Sequence, residues 1–350
     1  MEPVSLPANQ PPQFYQGGAQ IEAFRSHQTS GSPLSGQGAA PAFGPEDWVA
    51  STVSLYGSPA GSSRGPTRLA DGQLLGDAVT ADPAAFFGPD HVARFGANPA
   101  LLVKLLDAGE RLPVHCHPDR AFADAHLACP FGKTEAWVIV GTPGADPHVY
   151  LGFNRDVESS ELETWFAHQN GSEILASMNR IPVRTGDAIF VPAGTPHAIS
   201  AGVFIVELQE PTDFSVVLEW RDFGLADRRD GQLGMSPELS LQCFDRRRLT
   251  AHDIARYHRK AQPNSGGTAT LFPPDADPFF QAEDIVVTES TVLPAQYSVL
   301  IVLDGTATLE TAGSQTPVAR GSTVLIPYSA GDLTIRGELH ALRCLPAQSR

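Results

Sequence analysis

Cysteine is scarce in this chain: four among 350 residues (Cys116, Cys129, Cys243, Cys344), none in a CxxC or metal-finger spacing. So few thiols in so long a chain argue against a disulfide framework. Long apolar runs are also missing, since no stretch approaches the 18 or so residues a membrane span needs. The N-terminus has no basic start followed by an apolar stretch, so no secretory signal is expected, and the cytoplasm is the expected compartment. Positive charge is short as well: 24 Lys and Arg face 39 Asp and Glu, a net charge of −15. Nucleic acid and anionic membrane are therefore excluded as expected partners. An anionic small molecule would need a local focus of positive charge within an acidic protein.

What the chain does have is turns. It carries 32 Gly and 30 Pro beside a 42% apolar fraction, enough for a sizeable core built from short strands. Residues 1–45 show little periodicity, and Phe14, Tyr15, Ile21 and Phe24 are the side chains expected to anchor part of this segment on the body. WVASTVSLYG reads as a short strand and loop. Residues 81–95 and 99–108 read as helices, the second (PALLVKLLDAG) with Pro near its start and Gly just past its end. Strands dominate from LPVHCHPD to about residue 221, with a helical stretch at 158–178. Residues 222–283 form a turn-rich, partly helical connection, and a second strand series fills 284–350. The two series echo each other: RTGDAIFVPAGTPHAI and ARGSTVLIPYSAGDLTI place Gly and Pro six residues apart in both copies. An all-β-dominated fold of two related β-barrels with helical insertions follows, the first over residues 46–221.

Only the first copy carries an imidazole set. His115 and His117 are two apart, so a strand projects both from one face. Glu135 follows in GKTEAWVIVG, and His197 sits in the turn VPAGTPHAI. Three imidazoles and a carboxylate suit a divalent transition metal, zinc foremost. Cys116 alternates away from its neighbours and is expected to enter a core.

In these residues the chain resembles the type I phosphomannose isomerases, enzymes built from two cupin (jelly-roll) barrels. The likeness rests on Tyr15…Gly17-Gly18, Glu46-Asp47-Trp48, Lys104-Leu105-Leu106-Asp107 and His117-Pro118-Asp119. It continues through Gly132-Lys133-Thr134-Glu135-x-Trp137, Val191-Pro192-Ala193-Gly194-Thr195-Pro196-His197-Ala198 and Glu207…Thr212-Asp213. The resemblance implies a zinc enzyme that interconverts mannose 6-phosphate and fructose 6-phosphate through an enediol. It implies metal ligands at His115, His117, Glu135 and His197, a proton-transferring carboxylate at Glu207 and an active-site lysine at Lys133. Asp213 is read either as an orienting carboxylate or as a turn former. Without the resemblance, Glu207 reads as an ion-paired strand residue and Lys133 as a strand-end charge.

Three positions depart from the family pattern. His115 stands where the family has Gln, giving a three-His, one-Glu set that manganese, iron or nickel also suit. Pro113 replaces a Ser, and Val217 replaces an Arg. Valine cannot grip a phosphate as a guanidinium does. Arg221, Arg228 and Arg229 are the basic side chains expected to reach in instead, with a solvated surface cluster as the alternative. The leading expectation is a metal-dependent aldose–ketose isomerase whose partner is a small sugar or sugar phosphate. An isomerase of an unphosphorylated sugar, a non-catalytic sugar-binding cupin and an oxygen-using metalloenzyme are the alternatives.

Overall fold

The run Leu102–Ala108 shows how the fold is held together: it is a central strand, and all seven of its residues are buried. In the computed structural model, which describes residues 1–26, 44–59, 61–225, 227, 229–264 and 266–347, this strand lies between Val203–Gln209 and Glu46–Val49. The sequence pattern predicted a helix here. A strand covered on both faces shows no alternation, so its apolar run cannot be told from a helix by periodicity. Val103 and Leu105 enter one core while Leu106 and Ala108 enter another.

Two sheets enclose the N-terminal half. One has six strands: His258–Arg259, Ala188–Val191, Glu135–Gly141, Val203–Gln209, Leu102–Ala108 and Glu46–Val49. The other has five: Val216–Val217, His115–Cys116, His197–Ile199, His148–Phe153 and Met178–Pro182. Trp137, Ile139, Val149, Leu151, Ile189 and Ile205 pack between them. Outside the five-stranded sheet, the helices Ser159–His168 and Gly171–Ala176 bury Trp165 and Ile174 against Cys116 and Phe153. The helical reading of 158–178 therefore holds, with the break at Gln169, whose φ is 60°. Cys116 faces a core as expected, and burial raises its thiol well above the usual range.

The C-terminal half is an eight-stranded antiparallel sheet dominated by the long strands Ser298–Glu310 and Leu333–Pro346. It takes in Gly267–Thr270 and, from the far end of the chain, Val4–Ser5, which pairs with Thr323–Ile326. The echoed turns are structurally alike. Gly186 and Gly321 both have positive φ, 91° and 85°, and each leads into a buried four-residue strand ending before Pro192 or Pro327. A side chain at Gly321 would meet the Phe24 carbonyl oxygen at 2.1 Å, so only glycine fits there. The outer face of the six-stranded sheet packs on the C-terminal sheet: Val138, Phe190 and Val206 share a core with Ala282, Ile301 and Leu342. Tyr15, Ile21 and Phe24 of the N-terminal segment are buried as expected, while Phe14 is partly buried. No described helix is long and apolar enough to cross a membrane.

Candidate metal centre and active site

Strand register brings the imidazoles together. His115 lies opposite His197 across an antiparallel pair and opposite Val217 on its other side. His117 follows at the strand end, fixed when the Gly194 N–H donates to its carbonyl at 2.7 Å. That contact needs the VPAGTP turn, in which Gly194 has a φ of 83°. Ring centroids are 4.1 Å apart for His115 and His197, 4.8 Å for His117 and His197, and 5.0 Å for His115 and His117.

Each ring has one nitrogen held by a backbone carbonyl. His115 Nδ1 lies 2.8 Å from the Pro113 oxygen, His117 Nδ1 2.6 Å from Phe214 and His197 Nδ1 2.8 Å from Thr195. A carbonyl can only accept, so Nδ1 carries the proton in all three and Nε2 keeps its lone pair. Burial lowers all three histidines, His117 to about 3, where Lys133 adds to the effect and Glu135 opposes it. All three are neutral near pH 7, the form that binds metal.

Glu135 opens the strand Glu135–Gly141 and meets two of the three rings. Its Oε2 is 3.0 Å from His117 Nε2 and its Oε1 3.3 Å from His197 Nε2. Burial alone would raise this carboxyl, but Lys133, then His117 and His197, hold it well below the usual range. The Lys133 ammonium donates to Glu135 Oε2 at 2.5 Å and lies 2.8 Å from His117 Nε2.

These donors fit a divalent cation. His197 Nε2 is buried with no hydrogen-bond partner, an orphaned lone pair of the kind a metal satisfies. The ligand atoms of His115, His117 and His197 lie within 4.8 Å of one another. Beside them, the Lys133 ammonium shows that the carboxylate and one imidazole already accept a positive charge.

Glu207 sits in the middle of Val203–Gln209, opposite Trp137 on one neighbour and Lys104 on the other. The Trp137 indole N–H is shared, 3.0 Å from Glu135 Oε1 and 3.3 Å from Glu207 Oε1. Lys104 Nζ is 3.6 Å from Glu207 Oε2 and 3.2 Å from Glu46 Oε2. Burial and the charge of Glu135 push the Glu207 carboxyl up to about 7, against the pull of Lys133 and Lys104. Glu46 is itself clamped: Tyr15 donates to it at 2.5 Å and the Trp48 indole at 2.6 Å.

All of these groups except His117 and Trp48 line one cavity of about 290 Å³. Asp213 lines it too, its Oδ2 accepting the Tyr56 backbone N–H at 2.9 Å, so it ties the Tyr56 loop to the cavity wall. Burial raises this carboxyl. Pro113 and Val217 are also in the wall. The structure therefore gathers Lys133, Glu135, Glu207, Asp213 and the three histidines. It does not bring in Arg221, which is exposed, lies over Trp220 and donates to the His168 carbonyl at 3.3 Å. Trp220 and Arg221 are carried outward because their backbone N–H groups are fixed on Gln169. Arg229 pairs with Asp227 on the surface, and Arg228 lies outside the described residues. Lys104, Glu46 and Trp137 entered the sequence reading only as parts of motifs, without roles. The available signal was a lysine inside the apolar run LLVKLLDA, which a buried strand tolerates only with carboxylate partners.

Comparison with known proteins points to one kind of enzyme. Residues 269–346 match the family model for the mannose-6-phosphate isomerase cupin domain. "Probable mannose-6-phosphate isomerase GmuF" of Bacillus subtilis is 26% identical over 281 residues, covering 79% of this chain and 84% of that one. Mannose-6-phosphate isomerase ManA of the same organism is 29% identical over 241 residues, 68% of this chain and 72% of its own. The chain is thus similar, at low identity, to proteins named mannose-6-phosphate isomerase. The fold agrees: the crystal structure of the Bacillus subtilis mannose 6-phosphate isomerase superposes with a TM-score of 0.73 over 98% of this chain and 99% of that one, at 19% identity. The family model falls on the half without the histidine cluster. The likeness of the metal-centre half rests instead on the pairwise relatives.

Proposed function

We propose that this chain is a divergent member of the mannose-6-phosphate isomerase family, a metal-dependent aldose–ketose isomerase acting at C1 and C2 of a mannose-type sugar. The names of its relatives supply the sugar frame, mannose 6-phosphate and its ketose partner. The observation that carries the proposal is the meeting, in one cavity, of a buried imidazole–carboxylate cluster with a second buried carboxylate, Glu207, which burial and Glu135 raise to about 7. His115, His117, Glu135 and His197 would hold the ion. Zinc is the ion we propose, and other divalent transition metals suit the same donors. When bound, the ion supplies Lewis-acid stabilisation of negative charge developing on the sugar oxygens.

The chain's own residues do the rest. Glu207, ionised, takes the proton from C2 of the aldose while O1 gains a proton, giving the enediol; C1 then receives the proton back from Glu207 as O2 gives up its own and becomes the ketose carbonyl. One C–H bond breaks and one forms, a hydroxyl proton passes from O2 to O1, and no external oxidant or reductant is needed. The carboxylate is suited to both directions, because a group poised near 7 is neither too weak a base nor too weak an acid. Lys133 places an ammonium beside the same cluster, where it offsets oxyanion charge. Trp137 holds Glu135 and Glu207 in fixed relation through one N–H. The buried walls exclude bulk water, which would protonate the carbanion at random. Small-molecule chemistry of this kind fits the cytoplasm.

Solvent exchange tests the reaction. Metal-loaded protein in deuterium oxide, offered mannose and mannose 6-phosphate separately, is expected to place deuterium at C2 of at least one of them. Glu207→Gln should slow this at least a hundredfold. Tight sugar binding with no label at C2 of either would refute the isomerase reading.

A further inference from the structure

The charge inventory of the cavity bears on the substrate's other end. Among the described residues, the cations in its wall are Lys104 and Lys133. Both face carboxylates at the reacting end of the site. Lys104 lies buried between Glu46 and Glu207, 3.2 and 3.6 Å away, and Lys133 is 2.5 Å from Glu135. The remaining charged groups in the wall are carboxylates, Glu46, Glu135, Glu207, Asp213 and Asp230. Around them the wall is apolar, with Leu225 and Leu233 beside Val217. The described arginines in the neighbouring segments are spent elsewhere: Arg111 makes a two-pronged pair with Glu219 at 2.6 and 3.0 Å, and Arg229 pairs with Asp227.

A phosphate dianion is normally held by guanidinium, ammonium or free backbone N–H groups, and charge-assisted contacts carry most of its affinity. Here it would enter a cavity whose described charged groups are two paired lysines and five carboxylates, a balance that selects against it. A neutral sugar meets no such barrier. Its hydroxyls can donate to Asp213 and Asp230, and its C–H faces can rest on the apolar wall. Building on the isomerase reading, we infer that the physiological substrate of this chain is an unphosphorylated aldose or ketose, with Asp213 and Asp230 acting as hydroxyl acceptors.

The test uses full-length, metal-loaded protein. The rate of deuterium entry at C2, expressed as kcat/KM, is expected to be at least tenfold higher for mannose than for mannose 6-phosphate. Equal values, or a preference for the phosphate ester, overturn the inference. Binding separates this from the chemistry: in the Glu207→Gln protein, calorimetry should show mannitol binding at least tenfold more tightly than mannitol 1-phosphate. The reverse order overturns the inference whether or not any sugar is turned over. Binding of mannitol with neither sugar exchanging its C2 proton would sink the isomerase reading and leave the neutral-ligand inference standing.

Discussion

Glu207 is where a single residue decides the chemistry. Its carboxyl is raised by burial and by Glu135, while Lys133 and Lys104 oppose the rise. Replacing Lys104 by Met removes one of the opposing charges, so the proton is held more tightly. The acid limb of the kcat/KM profile should therefore move to higher pH in Lys104→Met, with a smaller change in the plateau. A profile that falls in height without moving would show Lys104 to be structural only. The stability sign follows from the same shift. Because the folded value lies above the ordinary 4.5, this group costs nothing below that pH. It destabilises the fold progressively as pH rises from 4.5 to about 7. The metal-free protein with a chelator present should accordingly lose stability over that window, and Glu207→Gln should flatten the loss. The metal-ligand candidates could be read from sequence because HxH, GKTE and PAGTPH are local patterns. The companionship of Glu207, Lys104 and Glu46 was hidden, because it depends on three strands lying side by side.

At the scale of elements, Leu102–Ala108 shows the limit of periodicity. Its Pro and Gly flanks are good helix punctuation, yet the run is a strand buried on both faces. The alternating run after Gly132 was easier, since Lys133, Glu135 and Trp137 share one face against Thr134, Ala136 and Val138, as the split of Trp137 and Val138 between two cores bears out. Position within the strand has energetic consequences. Leu105 is fully buried in the core shared by the two halves, opposite Asp47 and Val206. Leu105→Ala should cost about 2–5 kcal/mol, the range for a large-to-small change in a packed core. A helix-surface leucine would cost far less, so a loss below about 1 kcal/mol in urea denaturation would contradict the strand's central place.

At the scale of the whole molecule, the two halves are stitched together by the chain's beginning. Val4–Ser5 joins the C-terminal sheet, while the segment that follows carries Tyr15 to the cavity wall of the N-terminal half. Arg25 closes the stitch: its guanidinium donates to Asp47 Oδ2 at 2.6 and 2.8 Å and to Thr323 Oγ1 at 2.7 Å. Asp47 is fully buried, so removing its partner leaves a carboxylate without its main counter-charge. Such a loss typically costs about 3–5 kcal/mol. Arg25→Ala should therefore lower the unfolding free energy by that much in the metal-free protein, more than loss of an exposed pair such as Arg247 with Asp245 would. The four tryptophans, Trp48, Trp137, Trp165 and Trp220, all lie in the N-terminal half, so their fluorescence reports that half alone. Far-ultraviolet circular dichroism reports both. Because Val138, Phe190 and Val206 share a core with Ala282, Ile301 and Leu342, the two signals should fall together in the unaltered chain and still coincide in Arg25→Ala, at a lower denaturant concentration. Fluorescence lost well before the circular dichroism would mean that the shared core does not couple the halves, and that the cavity's walls can open while the C-terminal sheet stays folded.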